Sequence, residues 1–137
     1  MMIRRIRPGQ DGDVRRASSL FGHSLQPDAT TKFLASETHH LFIAYEGDEP
    51  VGFTTGVEMT HPDKGTEMFP YELEVAEAFR RRGIGAALVT RLEELAKECG
   101  CYGMWVLTDG DNTAALRTYQ KAGGIRSDDQ AMMSWKL

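Results

Sequence analysis

The chain has 137 residues, of which 41% are hydrophobic and 26% are charged, and its formal net charge is −4. These values are typical of one globular domain, predicted to span residues 1–137, and the mild acidity argues against general nucleic-acid binding. No stretch approaches the roughly 18 apolar residues of a membrane span, and the charged first 16 residues lack the apolar run of a signal peptide. We therefore expect a cytoplasmic protein.

The N-terminal part of the chain predicts a strand followed by two helices. Residues 3–7 alternate between apolar and charged side chains, and Pro8-Gly9 ends this strand. Asp11 or Asp13 then caps a helix whose apolar side carries Val14, Ala17, Leu20 and Phe21. A second short helix is predicted over residues 28–36.

Three strands are predicted next, over residues 41–45, 51–59 and 69–75. The first two are joined by a turn at residues 46–50. In the third strand the alternation predicts one face that carries Phe69, Tyr71, Leu73 and Val75. Glu72 and Glu74 are therefore expected on the opposite face of this strand.

From Gly83 onward the apolar period changes from two to about 3.6, which predicts a helix that ends near Gly100. The apolar side of this helix carries Leu88, Leu92, Leu95 and Ala96. A strand over residues 104–107, with Trp105 in the core, precedes a helix that begins at Asp111 or Asn112, and a last strand is predicted over residues 131–136. This order of elements predicts an α+β sheet domain rather than a doubly wound one.

The cysteines and histidines give no sign of a metal site in the sequence. Cys99 and Cys101 are too close to form an unstrained disulfide, and no histidine lies near them at the usual zinc spacing. We interpret both cysteines as packing residues. His23, His39 and His40 are interpreted as surface residues.

The segment 80–85, Arg-Arg-Arg-Gly-Ile-Gly, carries the clearest chemical signal. Gly83 and Gly85 let backbone amides approach a ligand closely, and the N-terminus of the following helix attracts anions. The three arginines add positive charge, so the expected guest is a pyrophosphate. The P-loop ending Gly-Lys-Ser/Thr is absent, and Leu88 replaces the third glycine of a dinucleotide fingerprint. The remaining alternative is a glycine-bearing loop with surface arginines.

With these residues in place, the chain resembles the GNAT superfamily of N-acetyltransferases. Arg80, Gly83 and Gly85 match its signature Arg/Gln-x-x-Gly-x-Gly/Ala, and the pattern from Asn112 through Ala115 to Tyr119 matches its second cofactor-contacting helix. The resemblance implies acetyl-CoA as cofactor. It also implies a mixed, largely antiparallel central sheet of six to seven strands flanked by about four helices.

The resemblance assigns a cofactor site to two helices and one strand. Asn112 is either a helix cap or a hydrogen-bond donor to the cofactor arm. The residues expected to contact acetyl-CoA are Leu73, Val75, Arg80, Arg81, Arg82, Gly83, Ile84, Gly85, Ala86, Asn112, Ala115 and Tyr119.

Transfer of an acetyl group to an amine requires a base for the ammonium proton and an acid for the leaving sulfur. Glu72 is predicted as the base, with Glu74 or a water molecule as alternatives, and the resemblance makes Tyr119 the acid. Backbone N–H groups near residues 73–75 would hold the thioester carbonyl. The acceptor is expected to be bound by Glu72, Glu74, Glu58 and Asp109. No metal is required by this chemistry.

Within the superfamily the chain is most similar to small aminoglycoside 3-N-acetyltransferases. The similarity rests on residues 20–22 and 42–44, and above all on residues 71–75 and 79–84. It implies acetylation of the 3-amino group of an aminoglycoside, a role in antibiotic resistance and a possible homodimer. The alternatives are another amine, such as a metabolite, a peptide N-terminus or a lysine, and a non-catalytic acyl-CoA sensor.

Overall fold

The computed structural model describes residues 1–137 as one α+β domain. Four strands, four α-helices and two short 3₁₀ turns make up its regular structure. In chain order these are β1 (Met2–Arg5), α1 (Asp11–Arg16), a turn (Ser18–Leu20), α2 (Pro27–Ala35), β2 (His39–Glu46), β3 (Glu49–His61), β4 (Gly65–Val75), a turn (Glu77–Phe79), α3 (Ile84–Glu98) and α4 (Thr113–Lys121).

The four strands form one antiparallel sheet in the order β1-β2-β3-β4. Each face of this sheet has its own apolar core, one built with α1 and α2 and the other with α3. The prediction of a mostly antiparallel α+β domain with four helices is confirmed. No helix of the chain combines the length and the apolar character needed to cross a bilayer.

The sheet has four strands and not the predicted six to seven. The predicted strand at 104–107 makes a single parallel bridge, between Met68 and Met104, and residues 131–136 form no strand. Trp105 is 42% exposed, so its assignment to the core was wrong. Local alternation favours an extended chain, but a strand also needs a hydrogen-bonded partner along its whole length. The sequence pattern does not show whether such a partner exists.

Helix α3 confirms its predicted apolar side, because Leu88, Leu92, Leu95 and Ala96 are all buried. The helix lies unusually close to β3 at Gly56. A β-carbon there would come within 2.6 Å of a methyl carbon of Leu92.

A β-bulge in β4 separates the two halves of this strand. Thr55 of β3 pairs with Glu72 and the next residue, Gly56, pairs with Pro70, so Tyr71 has no partner. The extra residue changes the parity of the alternation. Phe69 therefore faces the same side of the sheet as Glu72, and the prediction that it shares a face with Leu73 was wrong.

Candidate functional site

An open cleft of about 780 Å³ lies between the end of β4, the N-terminus of α3 and one side of α4. Its wall is built from three segments that are distant in sequence. The lining residues that had been predicted as cofactor contacts are Leu73, Val75, Arg80, Arg81, Gly83, Ile84, Gly85, Ala86, Asn112, Ala115 and Tyr119. The structure thus brings together eleven of the twelve predicted residues, and the exception is Arg82.

The floor of the cleft is the N-terminus of α3. Gly83 caps this helix in the left-handed conformation, with φ of 79°, and its carbonyl accepts a hydrogen bond of 3.0 Å from the Ala87 amide. No side chain caps the helix. The N–H groups of its first turn are therefore free to bind an anion, which the positive end of the helix dipole also attracts.

Gly85 brings α3 and α4 together beside this anion site. A β-carbon at position 85 would lie 3.0 Å from Cγ2 of Thr118 and 3.7 Å from Cγ2 of Val75. The second glycine of the motif therefore allows close packing of the two helices that border the cleft.

The three arginines of the motif have different roles in the structure. Arg80 donates to the Val75 carbonyl at 2.9 Å and forms an ion pair of 2.9 Å with Glu74. Arg81 lines the cleft, with a positive φ of 65°. The Arg82 guanidinium lies over the Phe79 ring, 5.1 Å from its centroid, and does not line the cleft.

Two cations of the cleft were missed in the sequence. Arg117 and Lys121 both line it from α4. Thr113, Arg117 and Lys121 follow one another at intervals of four residues, so all three lie on one side of the helix. That spacing was the signal available in the sequence, and it gains meaning only once this side is known to face the α3 N-terminus.

Tyr119 is partly buried between the cleft and a second cavity of about 360 Å³. Burial raises the pKa of Tyr119 above its ordinary value. The phenol therefore keeps its proton throughout the neutral range, as a proton donor must.

Asn112 caps α4, since its side-chain oxygen accepts a hydrogen bond of 3.1 Å from the Ala115 amide. This outcome agrees with the capping alternative. The side-chain amide nitrogen of Asn112 is not used by the cap.

Glu72 lies on the face of the sheet opposite to Leu73, next to the cleft. Its carboxylate accepts a hydrogen bond of 3.4 Å from the Thr55 hydroxyl, and its carbonyl accepts one of 2.8 Å from the Thr54 hydroxyl. Two buried threonines thus hold the backbone and the side chain of this exposed glutamate. Beyond Met68 the outer edge of β4 has no strand beside it.

The predicted acceptor ligands are not all brought together. Glu74 lies on the Glu72 face and lines the cleft, where it is paired with Arg80, whereas Glu72 does not line the cleft. Glu58 lies on the α3 face, where it is bonded to His40, and Asp109 is exposed in the loop before α4 and does not line the cleft.

Glu58 belongs to a separate cluster that corrects three predictions. His40, interpreted as a surface residue, is only 4% exposed. Cys99, interpreted as a packing residue, is exposed. Ligand atoms of His40, Glu58 and Cys99 all lie within 4.8 Å of one another, so a histidine does lie beside Cys99. The sequence could not reveal this, because the two residues are 59 positions apart.

Comparison with known proteins agrees with this geometry. The sequence model of the Acetyltransferase (GNAT) family matches residues 13–124, and the chain belongs to this family. It is 34% identical over 92 residues to acetyltransferase Atu2258 of Agrobacterium fabrum. The match covers 67% of this chain and 64% of the relative, so the chain spans somewhat less than two thirds of the relative's length.

Solved structures share the fold over almost the whole chain. An aminoglycoside acetyltransferase from an uncultured soil metagenomic sample, meta-AAC0020 in complex with sisomicin, has a TM-score of 0.90 at 19% identity and covers 99% of this chain and 95% of its own. Aminoglycoside N-acetyltransferase AAC(6')-Iy in complex with CoA has a TM-score of 0.80 at 20% identity, with coverage of 99% and 95%.

Acetyl-CoA is the cofactor of GNAT acetyltransferases, and the cleft of this chain fits it. The free N–H groups at the start of α3 suit a pyrophosphate. Arg81, Arg117 and Lys121 add positive charge on the same side, and the uncovered edge of β4 offers backbone groups to an extended arm. When bound, the cofactor supplies an activated acetyl thioester.

Proposed function

We propose that this chain transfers an acetyl group to a primary amine of a small cationic acceptor, and that the acceptor is an aminoglycoside. The observation that carries this proposal is the bulge at Tyr71. Beyond the bulge, regular alternation places Glu72 on one face of the sheet while Leu73 and Val75 line the cofactor cleft, and the bulge brings Phe69 to the Glu72 face. A carboxylate therefore lies one residue from the cofactor wall, on the side from which an acceptor can approach.

Glu72 is proposed as the base that accepts the proton of the acceptor ammonium, directly or through water. Two buried threonines position its backbone and its carboxylate, which lowers the entropic cost of holding the base in place. The alternative base, Glu74, is less suited because its carboxylate is already engaged in an ion pair with Arg80.

Tyr119 is proposed as the acid that protonates the leaving sulfur. Its partly buried phenol lines the cleft and holds its proton at neutral pH. Backbone N–H groups at the free edge of β4, between Leu73 and Val75, are proposed to stabilise negative charge on the carbonyl oxygen.

The face that carries Glu72 has properties that favour a cationic aminosugar. Exposed Trp105 packs on Phe69 with ring centroids 4.6 Å apart, which provides an apolar platform. Glu67 lies on the same face of β4. A hydrogen bond from His61 is the main cause that lowers the pKa of Glu67 and keeps its carboxylate charged. Carboxylates bind ammonium groups, and aromatic rings beside them attract cations and pack against the apolar faces of sugars.

The position acetylated is proposed to be the 3-amino group, as the resemblance implies. The 6′-amino group is the competing position, because AAC(6')-Iy shares the fold. The role in resistance, the cytoplasmic location and the homodimer also remain predictions.

The test is thiol release from acetyl-CoA with gentamicin-type and kanamycin-type aminoglycosides, spermidine and a lysine peptide, followed by mass spectrometric location of the acetyl group. We expect turnover with aminoglycosides only. Glu72→Gln is expected to lower kcat by about 10²-fold or more, since a general base contributes about that much. Glu49→Gln, at the exposed first residue of β3, is the matched control and should behave as wild type.

Three results would change the proposal. Turnover only with another amine would support the acetyltransferase activity but exclude an aminoglycoside as the acceptor. An unchanged rate in Glu72→Gln would move the role of base to Glu74 or water. Tight acetyl-CoA binding without turnover on any amine would favour a sensor domain.

A further inference from the structure

The pair formed by buried His40 and partly buried Glu58 lies at the opposite end of α3 from the cofactor cleft. At about 1.5 Å per residue, the 15 residues of α3 separate the two places by about 21 Å. Nε2 of His40 and a carboxylate oxygen of Glu58 are 2.8 Å apart, and Cys99, just after α3, completes the cluster. The proposed acetyl transfer uses none of these three side chains.

We propose that His40, Glu58 and Cys99 form a zinc site, with one coordination position left for water. The three residues supply one imidazole nitrogen, one carboxylate oxygen and one thiolate sulfur, which are the ligand types that Zn²⁺ takes in proteins. A thiol ligand also disfavours Mg²⁺ and Ca²⁺, which prefer oxygen.

The geometry of the cluster is close to that of a tetrahedral site. Zinc bonds of about 2.0–2.3 Å place neighbouring ligand atoms about 3.4–3.6 Å apart. The three ligand atoms already lie within 4.8 Å of one another. The pair of His40 and Glu58 has to open slightly and the exposed Cys99 side chain has to move inward.

The three ligands come from three different elements of the fold, and each element holds its ligand in place. His40 comes from β2, Glu58 from β3 and Cys99 from the C-terminal end of α3. The carbonyl groups at this end of the helix carry partial negative charge, which favours a cation. A bound zinc ion would link the sheet to α3 and stabilise the folded chain.

Replacing Arg5 is expected to strengthen zinc binding, whereas replacing a ligand is expected to weaken it. Its guanidinium lies 3.0 Å from Nδ1 of His40 and must donate to it, so the ring carries its proton on Nε2. Zinc at Nε2 needs the proton on Nδ1 instead. Arg5 therefore has to release the ring before zinc binds, and its removal should strengthen binding.

The experiment is a titration of the purified 137-residue chain with Zn²⁺ against a chromophoric chelator, together with the absorption spectrum of the Co²⁺ form. We expect one ion per chain and an intense thiolate-to-cobalt band. Cys99→Ser, at an exposed position that does not threaten folding, should weaken binding about tenfold or more and abolish that band. Arg5→Met should increase the affinity.

The control is His61→Asn, which removes the histidine of a similar pair, His61 with Glu67, on the other face of the sheet. Its affinity should equal that of wild type. Equal binding by wild type and Cys99→Ser, weaker binding by Arg5→Met, or loss of binding in His61→Asn would each overturn the proposal. None of these measurements depends on acetyl transfer.

Discussion

Gly85 packs against Thr118 so closely that a β-carbon at position 85 would lie 3.0 Å from the Thr118 methyl group. The contact joins the first turn of α3 to α4, and both helices line the cofactor cleft. The width of the cleft is therefore set by the absence of a side chain at one position.

Gly85→Ala is expected to raise KM for acetyl-CoA about fivefold, because the added methyl group pushes α4 away from the anion site. Its stability should change little, since alanine is favoured over glycine in a helix by about 1 kcal/mol. The measurement is steady-state kinetics beside a urea titration. Adding Thr118→Ser, which deletes the opposing methyl group, should restore KM, and a double variant no better than the single one would refute this explanation.

Gly56→Ala is expected to destabilise the fold by about 1–3 kcal/mol, the usual cost of overpacking a core. The new β-carbon would come within 2.6 Å of Leu92 and 3.1 Å of the Met68 sulfur, both fully buried. The free energy of unfolding from a denaturant titration measures this cost. Gly22→Ala is the matched control, because nothing lies within 4 Å of its β-carbon, and equal stabilities of the two variants would contradict the packing argument.

Arg117→Ala is expected to raise KM for acetyl-CoA about fivefold and to leave kcat nearly unchanged. Arg117 lines the cleft and can reach a phosphate, and one charge-assisted hydrogen bond at a solvated site contributes about 1 kcal/mol. The KM of wild type should also rise with salt concentration more steeply than that of the variant. Lys97→Ala, on the exposed side of α3 with Glu93 as its partner, should leave KM unchanged.

Burial raises the pKa of Tyr119, so this phenol should ionise at higher pH than an exposed tyrosine. A group with a raised folded-state pKa gives stability that is present below its unfolded value, near 10, and is lost as the pH rises toward the folded value. Ultraviolet titration of tyrosinate in wild type and Tyr119→Phe isolates this group. Because the pKa values of Tyr45 and Tyr102 are also raised, the tyrosine missing from the variant should be one of several that ionise late, and loss of an early-ionising tyrosine would contradict the burial of Tyr119.

The local signals of the sequence determined most of the cofactor site. Gly83, Gly85 and the α3 N-terminus are neighbours along the chain, and their conformations follow from short-range rules for glycine and helix ends. The apolar sides of α3 and α4 follow from helical periodicity in the same way. For this reason the family and its cofactor could be inferred before the fold was known.

What the tertiary structure decided depends on contacts between distant segments. The register between β3 and β4 shifts by one residue at Tyr71, so Phe69 lies on the same face of the sheet as Glu72. An alternating pattern contains no mark for such a bulge, because the extra residue is defined only against the neighbouring strand.

The same reason applies to the extended segments and to the His40 cluster. Residues 104–107 alternate as a strand does, but their pairing along β4 stops after one bridge. His40, Glu58 and Cys99 meet only because β2, β3 and the end of α3 converge. Helix and turn signals act within a few residues, whereas strand pairing and side-chain clusters depend on which elements pack together, and only the folded chain determines that.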